Sequence, residues 1–199
     1  MELPSTYWNE IDMTATTSTA LVPRATTAST AISTPGARHA LAVLRLATGF
    51  IFLWAFLDKT FGLGFSTPTE RAWINGGTPS QGFLKGDAVT GPLKDFFAGI
   101  ASPATDVLFM LGMLAIGTAV ILGIGLRVSA VVGSLIMVLM YLAEWPFTPL
   151  TSSTNPLVDY HIIYALALIV VAAAHAGNTW GLGTWWQSLP LVRSQKWLV

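Results

Sequence analysis

The sequence predicts an all-α integral membrane protein: a four-helix transmembrane bundle with short interfacial helices in its first outer loop and a disordered N-terminal tail. Three observations predict it. Hydrophobic residues make up 53% of the 199 positions and charged residues only 10%, against about 25% charge in an ordinary soluble domain. The apolar residues concentrate in four runs, at about 39–57, 103–122, 128–143 and 157–176, each near the length of roughly 20 residues that a bilayer core requires. Finally, Val107–Leu126 reads VLFMLGMLAIGTAVILGIGL without the polar stripe a soluble amphipathic helix would carry. Period-two alternation is missing, so membrane strands are not expected.

Taken in order, residues 1–35 are a Thr-, Ser- and Ala-rich stretch with too little apolar surface to offset chain entropy. They lack the basic and apolar regions of a secretory signal, and Met13 offers a second translation start. The membrane domain then occupies 36–199. Span one carries Arg45 about two turns inside its start and closes on Asp58-Lys59. The loop that follows holds Thr67-Pro68-Thr69-Glu70 and Thr78-Pro79-Ser80-Gln81, both in the form of a capping box with proline at the first helical position. Beyond Gly91-Pro92, the residues Leu93, Phe96, Phe97 and Ile100 share a helical face. Short interfacial helices anchored by Trp73 and Phe83 are expected there. Spans two and three are joined by a tight turn containing Arg127, and Trp145 anchors the end of the shorter third span. Ala115, Ala119 and Gly123 permit close helix contact on span two. Gly177-Asn178 stops span four, and Trp180, Trp185 and Trp186 form an aromatic belt after it.

Arg38, Arg127, Arg193 and Lys196 fall on one side of this arrangement. Positive-inside bias therefore places both termini in the cytoplasm and the protein in the cell membrane. Zero net charge supplies no basic patch for nucleic acid. Absent cysteine removes thiolate metal sites, iron–sulfur ligation and thiol redox chemistry from this chain.

Alternating helix directions gather four of the ten acidic residues, Asp58, Asp106, Glu144 and Asp159, at one end. Asp106 and Asp159 also suit positive helix N-termini, and Glu144 sits beside its interfacial tryptophan. Asp58 with Lys59, and Asp159 with His161, remain as candidates for proton exchange in a partly desolvated site. Arg45 either snorkels to headgroups or faces a paired interior site, and the sequence leaves both open. His161 and His175 lie 14 apart, about 40° around one helix and ~21 Å along it. Only His39 remains to oppose them, so haem is not the expected cofactor, and no metal is expected.

Arg45-Leu46 with FLWAFLDKTFGLGF, LGIGLR before span three and NPLVDYHIIYALAL opening span four resemble DoxX/DoxD-type membrane proteins. The resemblance is narrower to actinobacterial members related to the membrane subunit of thiosulfate:quinone oxidoreductase, and it covers about Arg38 to Lys196. It implies a four-helix membrane protein linked in some members to quinone reduction and in others to redox or detoxification complexes. On it, the residues to test are Arg45, Asp58, Lys59, Asp159 and His161. The expected function is an integral membrane subunit passing electrons to quinone, with a small sulfur species such as thiosulfate or a partner subunit as donor. The rivals are a non-catalytic membrane anchor or scaffold for a redox or detoxification complex, and a small proton-coupled transporter; a partner subunit or a homo-oligomer is expected.

Overall fold

The computed structural model describes residues 34–147 and 155–198, and within them the chain is helical with no strand. The expected disordered tail and Met13 therefore fall outside the described residues, apart from Thr34 and Pro35. Those two open the first helix rather than ending a tail. The Thr34 hydroxyl accepts from the Ala37 amide, and Pro35 takes the first turn of α1 (Pro35–Phe61), where its missing N–H costs nothing.

Three helices are long and apolar enough to cross a membrane: α1, α4 (Pro103–Leu122) and α5 (Leu126–Glu144). The bounds of α4 coincide with the expected span, whereas α1 and α5 extend beyond theirs at both ends. The fourth apolar helix, α6 (Tyr160–Ala173), has 14 residues and is shorter than the 157–176 read from hydropathy. At its start, the Asn155 side chain accepts from the amides of Leu157 and Val158, folding them into a turn before the helix. At its far end, His175 adopts a left-handed conformation, with φ of 48°. Apolarity continues on both sides, but local hydrogen bonding ends the helix.

α1 packs on α4 and α5 on α6, while α4–α5 and α1–α6 contacts join the two pairs. Between α1 and α4 the close approach uses Gly49 and Gly117: a Cβ on Gly117 would stand 2.5 Å from the Leu53 amide nitrogen. The seam between α1 and α4 thus centres on Gly49 and Gly117, while Gly123 of the Ala115–Ala119–Gly123 series makes its close approach to Gly177. Phe52, Met113, Ile116, Val120 and Leu168 form the buried core between the helices.

The 61–102 loop is ordered over the end where α1 and α5 finish. It contains α2 (Pro79–Leu84), α3 (Lys94–Ile100) and two short 3-10 turns at Thr69–Arg71 and Trp73–Asn75. Neither Thr67 nor Thr78 makes the expected capping box; the capping box in the structure is Ser102 with Thr105, at the start of α4. Val89, Phe97 and Ala143 make a small second core, with Leu93 and Phe83 against it. Phe96 and Ile100 are exposed, so the face expected on α3 is divided between core and surroundings. At the opposite end, α7 (Gly183–Ser188) and α8 (Pro190–Ser194) follow α6.

Candidate functional site

The antiparallel packing brings Asp58, Asp106, Glu144 and Asp159 to one end of the molecule, but each has a different task. The Asp58 carboxylate accepts from the Phe65 amide (3.2 Å), the Ser66 amide (3.1 Å) and the Ser66 hydroxyl (2.6 Å). It clasps the chain that has just left α1. The buried Asp106 carboxylate reaches across to α2 and accepts from the Ser80 amide and hydroxyl, both at 2.7 Å. It also accepts from the Gln81 amide (3.0 Å) and side-chain amide (2.5 Å). A carboxylate on α4 thus caps the N-terminus of α2, taking the place of the Thr78 side chain. Its own helix dipole explains only where it sits, not what it holds.

Asp159 is the N-cap of α6. Its Oδ1 accepts from the amides of His161 (3.0 Å) and Ile162 (3.2 Å), which leaves Oδ2 free to lie 2.7 Å from Nδ1 of His161. His161 is only 1% exposed. An ionised carboxylate can only accept, so Nδ1 is the donor of this pair, and in the neutral form of such an imidazole Nε2 presents a lone pair. That Nε2 is buried and, among the described residues, has no hydrogen-bond partner. A polar atom in that position ordinarily has one, and leaving it unmatched is destabilising.

Beside this dyad, the Tyr160 hydroxyl donates to Glu144, 3.2 Å from each carboxylate oxygen, and the Tyr160 ring lies 4.0 Å from that of His161. Glu144 and Tyr160 are 16 positions apart on different helices. No local sequence pattern announces that contact, and neither was among the residues singled out for testing. Glu144, Asp159 and His161 each offer a ligand atom within 4.8 Å of the others, a donor set of carboxylate and imidazole that hard or borderline cations accept. The 2.7 Å contact between Asp159 and Nδ1 is a direct hydrogen bond; two ligands of a shared ion would stand farther apart.

Arg45 belongs to the other end. It is fully buried, and Nη1 donates to the carbonyls of Val120 (2.7 Å) and Ile121, the last turn of α4. Nη2 donates to the carbonyls of Trp180 (2.8 Å) and Thr179 (3.4 Å). It is too deeply buried to snorkel and, among the described residues, meets no carboxylate; it fastens α1, α4 and the chain after α6 together. Around it the backbone is packed on glycine: a Cβ on Gly177 would lie 2.1 Å from the Gly123 carbonyl oxygen, and one on Gly181 3.1 Å from Nη2. Trp180 also stacks on His39, ring centroids 4.8 Å apart, while Trp185 and Trp197 are exposed. His175 lies beyond the last residue of α6, so the helical spacing to His161 that two haems would need is not present.

Of the five sequence candidates, the structure joins Asp159 to His161 and leaves Lys59 next to an engaged Asp58, while Arg45 stands apart. No family model, curated protein or solved structure matches the chain.

Proposed function

We propose that the protein is a DoxX-like membrane subunit that binds quinone and exchanges its protons at the Asp159–His161 dyad. The observation that carries this reading is a buried Nε2, without a partner among the described residues, on an imidazole whose other nitrogen is held by a carboxylate. Such an atom can accept the O–H of a quinol, or, once protonated, donate to a quinone carbonyl. The Asp159 carboxylate stabilises the imidazolium in between. Reduction of a quinone consumes two electrons and two protons. The chain has no cysteine, so the electrons come from a partner subunit or a small sulfur species such as thiosulfate. In this reading α6 and its apolar flanks complete a fourth crossing, α2 and α3 lie at the outer interface, and both termini face the cytoplasm of a cell membrane.

A second reading, a non-catalytic anchor for a redox complex, is supported by how fully Arg45, Asp58 and Asp106 are used in holding the chain together. Direct binding separates them. Short-chain quinone titrated into nanodisc-reconstituted protein is followed by quenching of the tryptophan fluorescence. Wild type should bind, H161A at least tenfold more weakly, and D159N in between, with Y160F as a folded control of nearby packing. Equal affinity in wild type and H161A, or no binding by either, removes the quinone proposal. Co-purification of a soluble redox enzyme in that case favours the anchor.

A further inference from the structure

A second site lies on the same end of the molecule and involves none of the dyad residues. Between α4 and α5, roofed by α2 and α3, is a pocket of about 450 Å³ whose walls include Phe83, Phe97, Phe109, Ile136 and Met140. That volume falls within the range of about 300–1,000 Å³ typical of small-molecule sites. Leu108 and Leu135 also line it and are 70% and 57% exposed, so the pocket opens sideways, towards the surroundings of the apolar helices. Its lining contains one charged residue, Lys59.

The polar groups of the lining are already committed. The Ser80 hydroxyl donates to Asp106 and the Thr105 hydroxyl to the Ser102 carbonyl, both at 2.7 Å. Among the described residues Lys59 forms neither an ion pair nor a hydrogen bond, and its neighbour Asp58 is turned to Phe65 and Ser66. Asp58 is the one carboxylate whose charge reaches Lys59, but it makes no direct ion pair with it, so the ammonium beside the apolar cavity still has a place for a contacting counter-charge. A neutral carbonyl would solvate that charge but would not balance it, whereas an anionic head group does. The remaining walls are apolar, as an acyl chain requires.

We infer that this pocket binds a single-chain anionic amphiphile, a long-chain fatty acid, with its carboxylate on Lys59 and its chain between α4 and α5. The ligand enters laterally from the bilayer past Leu108 and Leu135. The inference is independent of quinone chemistry at His161, since the two sites share no lining residue.

The test uses radiolabelled palmitate and the full chain purified in detergent, with bound label counted by scintillation proximity. Unlabelled palmitate should displace the label, and its methyl ester should be at least tenfold weaker. K59M should weaken palmitate binding about tenfold and K59R restore it, which distinguishes loss of charge from loss of fold. M140W, which fills the cavity, should abolish binding while leaving the thermal melt cooperative. Equal displacement by the methyl ester, or unchanged affinity in K59M, overturns the assignment of a carboxylate site. Stronger displacement by phosphatidylglycerol or by a short-chain quinone overturns the choice of occupant.

Discussion

Removing the Asp106 carboxylate is the sharpest test of how the carboxylate end is built. In D106A, the Ser80 and Gln81 amides, the Ser80 hydroxyl and the Gln81 side chain all lose their acceptor. Hydrogen bonds to a charged group contribute about 1.5–3 kcal/mol each, but they are not additive when they share one acceptor. Loss of a helix N-cap alone costs about 0.5–2 kcal/mol, and leaving donors unmatched in a buried place adds about 1–3 kcal/mol. A combined loss of about 3–4 kcal/mol follows for the docking of α2. Because about 1.4 kcal/mol is a factor of ten, amide exchange across Pro79–Leu84 should accelerate roughly 10²–10³-fold, up to the limit set by unprotected exchange. The amides of the α4 interior should be unaffected. D106N keeps one acceptor oxygen, and the Gln81 amide can turn its own oxygen towards the new NH2. It should lose about half as much. Hydrogen–deuterium exchange with mass spectrometry, on protein in detergent or nanodiscs, reads both variants. Unchanged protection of Pro79–Leu84 in D106A would refute the capping role, and uniform acceleration along α4 would show that Asp106 supports the helix it belongs to instead.

R45K keeps the charge but replaces a planar fork with a point charge that cannot span the carbonyls of Val120, Ile121 and Trp180. A loss of about 1.5–3 kcal/mol is expected, seen as a lower melting midpoint, and an unchanged melt would remove the fastening role. G117A drives a methyl against the backbone of Leu53 and should destabilise by about 1–3 kcal/mol. G99A, on α3 with nothing within 4 Å of the added carbon, should instead stabilise by about 0.5–1 kcal/mol. Paired melts of the two variants check both signs, and a neutral G117A would mean that α1 and α4 do not approach as described.

What the sequence made legible follows from the range of the forces involved. Hydropathy is summed along the chain, so it marked α4 to the residue and found α1 and α5. It overran α6 because Asn155 and His175 end that helix through single hydrogen bonds and a left-handed turn, neither of which changes hydropathy. Connectivity correctly gathered the four carboxylates at one end. Their partners stayed hidden because they are mostly backbone amides, which every residue carries: nothing in the letters at 80 and 81 says that Asp106 will bind there. Asp159–His161 was readable because a helix N-cap and the residue two positions on lie within one turn. Arg45 was recognised as unusual, but its partners are carbonyls 75 and 135 positions away, and no side-chain chemistry marks them.

The arginine knot has a bearing on how the molecule is made. Arg45 is made on the first of the described helices, whereas the carbonyls that accept from its Nη1 and Nη2 arrive with residues 120–121 and then 179–180. Until then the ribosome has delivered a helix with a guanidinium inside its apolar run, an insertion penalty of about 2.5–3.5 kcal/mol at a span centre and less near an end. Until those carbonyls are made, the apolar run of α1 and its cation favour opposite surroundings. The corner around Arg45 locks only once residues 179–180 have emerged. A translation product stopped before Thr179 would carry every long apolar helix and still lack half of the arginine's acceptors, so quality control at the membrane has a chemical difference by which to tell finished protein from unfinished.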